Sequence, residues 1–499
     1  QLQIVGSFLL WLFYLPIAGD ASAPAPPTAI SPTPAGSGGL RTVVTPSSAP
    51  SNLCSANCVI TGGTRPGGGG NLFHSLGQFN IGPGDVTTFL NGVSFDAQGN
   101  ALAAGLPTSN ILARITGTNG NNPTLSSIYG TLQTSGFGTA NLFLMNPAGF
   151  LFGPNATVNV GGMMAFTSAD YLRLEGVGGN GIFHANAGQT SVLTTAPVAA
   201  FGFLGSNPGA ITVQGSQLSV TPGQSLSLVG GNITIQSGTL DNGGVQTAVV
   251  SAQGGQINLA SVVSPGEILA GTMNQAPNVN SQSFGALGSI QILEQSHIDV
   301  SGHGGGTVLI RGGQFLLDNS TISANVTGPG PIVNGQESIG NGIDIQMSQN
   351  AVIQNGALVD ASIVETATPG VQYGGVHVKA DHIEVRGVAD FDTGNFVFTN
   401  IQTIVAPETV GNGGNILLEG NSILVKDAAQ IQTLTNGIGD AGNITLKANQ
   451  NIDIVTGIIQ SAAQPTFDLA GNLATRPTGN AGNIELSSTH GNISIANLS

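Results

Sequence analysis

Beyond residue 210 one short pattern keeps returning: a glycine, a polar residue, an aliphatic residue, a polar residue and a second aliphatic one. It reads Gly231-Asn232-Ile233-Thr234-Ile235, Gly255-Gln256-Ile257-Asn258-Leu259, Gly288-Ser289-Ile290-Gln291-Ile292 and Gly306-Thr307-Val308-Leu309-Ile310. One-residue-shorter copies stand at Gly342 and Gly375, and full copies return at Gly414, Gly442, Gly482 and Gly491. Alternation puts the Ile, Val and Leu side chains on one side of a strand and Thr, Asn, Ser and Gln on the other. One such strand cannot bury its aliphatic side alone, so copies must stack. The reading is all-β: a right-handed parallel β-helix (solenoid) with an N-terminal capping region. A propeller blade needs four strands in roughly 40–50 residues. Spacings of 18 (Gly288 to Gly306), 24 (Gly231 to Gly255) and 28 (Gly414 to Gly442) fit that poorly.

With about 20–25 residues per coil and about 4.8 Å between strands, residues 60–499 are expected to form a shaft roughly 80–100 Å long. Ile233, Ile416, Ile444 and Ile484 should face the interior and Thr445 the solvent.

Charge narrows the function classes. Charged residues make up 7% of the chain, against about 25% in ordinary globular proteins. The net charge is −15 with ten Lys plus Arg, so the basic footprint of a nucleic-acid binder is missing. Apolar residues reach 40%, which argues for a packed core and against disorder.

Residues 4–18 form an apolar run followed by Ala21-Ser22-Ala23. The run is shorter than the ~20 residues of a spanning helix, and a small-x-small site after it is the mark of an export signal. Residues 1–23 are therefore read as a signal-peptide remnant. Residues 24–58, rich in Pro, Ala and Ser, read as a linker carrying the two cysteines, Cys54 and Cys58. Zinc wants four ligands, and His74 is the only other candidate nearby. In an exported chain a Cys54–Cys58 disulfide is the expected state.

β-Helices also house polysaccharide lyases and hydrolases, which need carboxylates and a base on one exposed face. The densest charged group is His377, Lys379, Asp381, His382, Glu384 and Arg386. Alternation spreads it over two strand faces, and it reads as a solvated surface. No glycine-rich turn is followed by Lys and Ser or Thr, so a phosphate loop is absent. No catalytic, metal or cofactor-binding residue is assigned, and an enzyme is not expected.

Residues 141–167, NLFLMNPAGFLFGPNATVNVGGMMAFT, place three strands and two tight turns in under thirty residues. Pro147 presets the first turn, and Gly149 and Asn155 tolerate a left-handed backbone. This segment resembles a block of the haemagglutinin-type secretion domain of two-partner secretion exoproteins. Residues 71–81 (NLFHSLGQFNI, a short helix or irregular strands by pattern) resemble the first block of that domain. Residues 111–117 (ILARITG) and 128–132 (IYGTL) resemble blocks between the two, in the same order. The family's Asn-Pro-Asn-Gly-Ile stands here as Asn146-Pro147-Ala148-Gly149-Phe150. A second family block, Asn-Pro-Asn-Leu, has its nearest counterpart in Asn122-Pro123-Thr124-Leu125.

The resemblance implies a secreted or surface-exposed adhesin-type exoprotein of a bacterial cell. It would cross the periplasm, engage an outer-membrane β-barrel transporter and fold outside. It further implies a secretion domain over 59–290, which recognises the transporter and nucleates folding, and a β-helix shaft over 291–499. Asn146, Pro147 and Gly149 would form the recognition or folding turn. A host-cell or surface glycan is the implied ligand, nucleic acid is not a partner, and the chain is expected to be a monomer. The alternatives are a β-helical polysaccharide lyase or hydrolase and a purely structural surface stalk.

Overall fold

The computed structural model describes residues 25–34, 36, 38–48, 52–270, 284–390, 393–467 and 473–496. The signal expected over 1–23 lies outside the described residues. Residues 141–163 trace one coil of a parallel β-helix. Asn141–Met145 lies on a first face, Phe150–Phe152 on a second and Thr157–Asn159 on a third. Met164–Thr167 then returns to the first face, with Met164 paired in parallel to Leu142. The turns are those the sequence asks for: Gly149 has φ 93° and Asn155 φ 70°.

Among the described residues, thirteen strands make the first face, eleven the second and thirteen the third. Pairing along them is parallel except at the front. There Ala29–Pro32 runs antiparallel to Asn71–Asn80, and Thr42–Thr45 antiparallel to Cys58–Gly62. The described part of the linker expected over 24–58 is thus a cap, because Ile30, Val44, Cys54 and Cys58 are buried within it. Laying antiparallel strands over the first coil covers an edge that would otherwise offer free backbone groups to other chains. Residues 71–80, ambiguous by pattern, form a ten-residue strand. Leu72 and Leu76 point into the shaft and Phe73 points out beneath a second layer, so neither periodicity shows cleanly.

Inside, a ladder climbs the first face from Leu72 through Ile111, Leu142, Met164 and Leu226 to Ile416 and Ile444. Ile233, Ile416 and Ile444 are 0, 1 and 0% exposed, as expected. Ile484 is not interior: it is 44% exposed, lying in the last first-face strand of the described residues with a neighbour on one side only. Truncating any of the first three to Ala should lower stability by about 2–5 kcal/mol, and Ile484→Ala or Thr445→Ala by under about 1 kcal/mol. Thermal unfolding reads the difference, and equal effects at Ile444 and Thr445 would overturn the inside–outside assignment.

The shaft is shorter than the sequence suggests. Along the first face, Asn71–Asn80 and Ile484–Ser488 are eleven parallel steps apart, or roughly 53 Å at about 4.8 Å per step. Repeat copies do not mark one coil each. Those at Gly231, Gly288 and Gly491 lead into second-face strands, the others into first-face strands. True coils run from 22 residues (Leu142 to Met164) to 62 (Met164 to Leu226) because segments leave the shaft at its edges.

In the first-face copies, the glycine of the repeat sits on the edge where the chain enters that face. A Cβ added at Gly414 would collide with the carbonyl of Gly374, at Gly442 with that of Gly414, and at Gly482 with that of Gly442. The asparagine that follows ties coils together. The Asn443 N–H donates to Asn415 Oδ1 and the Asn483 N–H to Asn443 Oδ1, each at 2.8 Å.

The largest excursion is an antiparallel sheet of Gly181–His184, Tyr171–Leu174, Val198–Phe203 and Gly266–Leu269. It lies against the outer side of the first face and encloses a second core that includes Phe73, Leu112, Phe143, Met145, Phe183, Phe201 and Phe203.

Candidate functional site

The front coils carry the features most unlike the rest of the shaft. At the 146–149 turn, Asn146 is completely buried. Its amide donates to the Thr124 carbonyl at 2.8 Å and Ser126 Oγ at 2.9 Å, and its Oδ1 accepts the Ala148 N–H at 3.0 Å. The Gly149 N–H closes the turn on the Asn146 carbonyl at 2.8 Å. Pro147 is half-buried, and a Cβ on Gly149 would strike the Ala210 carbonyl of the next coil. The structure therefore brings the 122–125 segment against this turn. It also turns the Asn146 side chain away from solvent, where no partner protein can read it.

Two arginines of the front coils are almost wholly enclosed. Arg65 donates through Nε to Ser94 Oγ at 3.0 Å, and through Nη1 to the carbonyls of Gly69 and Pro107 at 3.2 and 3.4 Å. Its Nη2 reaches Asn91 Oδ1 at 3.2 Å and Thr108 Oγ1 at 2.7 Å. Arg114 projects outward from Asn110–Ile115 into the second core and binds both cap and outer sheet. Burial lowers both guanidinium pKa values, that of Arg114 to about 10. Neither residue stands out in the sequence. The one signal for Arg114 is its place within an otherwise apolar run, Ile111 to Ile115.

Cys54 and Cys58 are joined as a disulfide inside the cap, so neither offers a thiolate to a metal. His74 points into the shaft, with its ring edge-on to Phe89 at 5.4 Å. Burial and, second, the charge of Arg65 push its pKa down to about 3, so it is held neutral. No group of three or more His, Cys, Asp or Glu able to hold a metal occurs among the described residues. Nor is any helix among them long and apolar enough to cross a membrane.

The charged group around residue 380 is split by a shaft edge. His377 and Lys379 lie on Gly375–Lys379 of the first face, and His382, Glu384 and Arg386 on His382–Arg386 of the second. On the first face the charges form a ladder across neighbouring coils. Arg311 Nη2 meets Asp344 Oδ2 at 2.5 Å, His377 Nδ1 meets Asp344 Oδ1 at 3.2 Å, and His377 Nε2 meets Glu419 Oε2 at 3.3 Å. Burial would raise the Asp344 pKa, but hydrogen bonding from His377 and the charge of Arg311 outweigh it and leave it low. The Asp344 hydrogen bond and charge, with help from Glu419, raise that of His377. The ladder thus favours the ionised form of Asp344 and the protonated form of His377. A general acid needs the opposite shift on its carboxyl.

This ladder has a pH signature. A raised folded pKa stabilises fully below the unfolded value of about 6.5 and ceases to do so as pH rises through the folded value. Between pH 6 and pH 9 the unfolding midpoint of the wild type should fall more than that of His377→Gln. Parallel curves would show that His377 contributes nothing.

The family model of the TPS secretion domain matches residues 41–310. Among solved structures, the filamentous hemagglutinin secretion domain is similar at 13% identity, over 94% of this chain and 99% of that one, with a TM-score of 0.28. The HMW1 secretion domain from Haemophilus influenzae is similar at 14% identity, over 89% of this chain and 99% of that one, with a TM-score of 0.36. No curated protein matches the chain.

Proposed function

Because the chain belongs to the TPS secretion-domain family, whose model spans more than half of it, we propose that it is an adhesin-type exoprotein exported through an outer-membrane β-barrel transporter. Its route runs through the periplasm to the cell surface or beyond, and it acts as a monomer without a cofactor. The family match carries this reading. The front region, cap included, engages the transporter and starts folding. The later coils form a shaft that displays outward-facing surface to a host-cell or surface glycan. The charge shifts along the Arg311–Glu419 ladder favour this over a polysaccharide lyase or hydrolase.

Within this reading the 146–149 turn is a folding element. Loss of the Asn146 amide strands the buried Ser126 Oγ, at about 1–3 kcal/mol, and removes the partner of the part-buried Thr124 carbonyl and Ala148 N–H. Asn146→Ala, co-expressed with the cognate transporter, should lose secretion and folding stability together. Lost secretion with unchanged stability would instead make this turn a recognition surface. Normal secretion would remove it from the site.

A further inference from the structure

We propose that the front of the chain folds in one long-range step locked by Arg114, and that no early coil is stable until the outer sheet through Val198–Phe203 has formed. The inference rests on the secretion reading for its biological meaning, while its physical basis is independent.

Arg114 is 2% exposed and joins three layers. Its Nε donates to Ser75 Oγ of the preceding coil at 2.9 Å, its Nη1 to the His184 carbonyl of the outer sheet at 2.6 Å, and its Nη2 to the Gly38 carbonyl of the cap at 2.8 Å. The guanidinium stands 5.2 Å from the Phe183 ring centroid. These partners are 39, 70 and 76 residues away in the chain. A buried cation whose acceptors are missing is strongly unfavourable.

Asn71 repeats the pattern. Its amide donates to the carbonyls of Thr194 and Ala196 at 2.9 and 2.7 Å, across 123 and 125 residues, while its Oδ1 accepts the Asn110 amide at 2.8 Å. Phe73 packs edge-on against Phe183 with centroids 5.1 Å apart. Without the outer sheet, the first coils would expose Phe73, Leu112, Phe143 and Met145 to water.

Later coils differ. The outward positions of Ile444–Ala448 and Ile484–Ser488 are Thr445, Lys447, Glu485 and Ser487, which water satisfies. Such a coil needs only its neighbour, and its closure is local. Growth coil by coil therefore describes the shaft and not its start. A chain emerging from a membrane would stay extended until about residue 203 is outside, and then fold progressively. The delay keeps the first two hundred residues or so available to the transporter.

The test is refolding of the full chain from urea, disulfide intact, with pulse-labelled hydrogen exchange. Amides of Asn71–Asn80, Asn110–Ile115 and Gly181–His184 should gain protection in one kinetic phase, ahead of Ile444–Ala448. Arg114→Met should slow folding at least about tenfold and change unfolding less than about threefold, as for a contact made in the transition state. Ile416→Ala should act chiefly on unfolding. Protection of 71–115 before 181–184, or an Arg114→Met effect confined to the unfolding rate, would overturn the proposal. If Arg114→Met does not refold, the order of labelling in the wild type decides. No transporter is present, so failure here leaves the secretion reading standing. That reading fails separately, in the Asn146 co-expression experiment.

Discussion

Replacing Arg65 with methionine is expected to cost about 2–6 kcal/mol, because it leaves the buried Ser94 and Asn91 oxygens without their donor at about 1–3 kcal/mol each. Methionine fills much of the volume but satisfies none of the five acceptors around the guanidinium. Those acceptors lie on three segments, 69, 91–94 and 107–108, so no single rearrangement rescues them. A buried ion pair can often be exchanged for apolar residues without loss. Here the partners are mostly backbone carbonyls and side chains with other bonds to keep. Asn91 also donates to the carbonyls of Leu106 and Gly136. Urea unfolding of Arg65→Met should show a lower midpoint at unchanged slope, which isolates a change in stability. A loss below about 1 kcal/mol would mean that water replaces the guanidinium.

Acid should weaken the front of the shaft chiefly through the His74 imidazole, with His184, whose pKa burial and the charge of Arg114 also lower, acting in the same direction. His74 is 1% exposed, and its folded pKa lies near 3 against about 6.5 in an unfolded chain. The unfolded state therefore takes up a proton between those values while the folded state does not. Stability is fully present above pH 6.5 and is lost as pH falls toward 3, by on the order of 4 kcal/mol. Carboxylates titrate in the same window, so the comparison is with His74→Leu. Leucine suits a column that continues as Ala113 and Leu144, and Thr42 Oγ1 keeps its bond from the Ser75 N–H at 2.9 Å. The variant should lose clearly less stability than the wild type between pH 7 and pH 4. Equal losses would show that His74 protonates freely in the folded chain.

The shaft was legible in the sequence because its energetics are local and periodic. An interior isoleucine, a polar outer neighbour and a glycine at the edge recur together, and each has one physical cause. The 146–149 and 153–155 turns were legible for the same reason, since Pro, Gly and Asn restrict the backbone wherever they stand. The front was not. Nothing in the sequence marks Arg65, His74 or Arg114 as buried: no local pattern tells the strand of Arg114 that a second layer lies over it, or singles out an interior place for His74. The cap was hidden by Pro, Ala and Ser, which suit a short edge strand as well as a linker. The shaft length was misjudged because second-face strands carry the same glycine motif as first-face ones.

The stacked glycines at the entry to the first face separate two properties that are usually bound together. The stretch leading from Ala429–Thr435 to Ile444–Ala448 is short. The one from Ile458–Ala463 to Ile484–Ser488 is long enough to carry the hairpin of Thr466–Phe467 and Leu473–Thr475. Both end on the same glycine column, at Gly442 and Gly482, and both strands land in unbroken register, Ile444 opposite Ile484. What is inserted upstream of the glycine is thus invisible to the coil that follows it. For protein engineering this edge is a mounting rail. A foreign peptide placed there can vary in length and sequence while the scaffold keeps its spacing, and successive coils would present several such peptides in a row at fixed intervals.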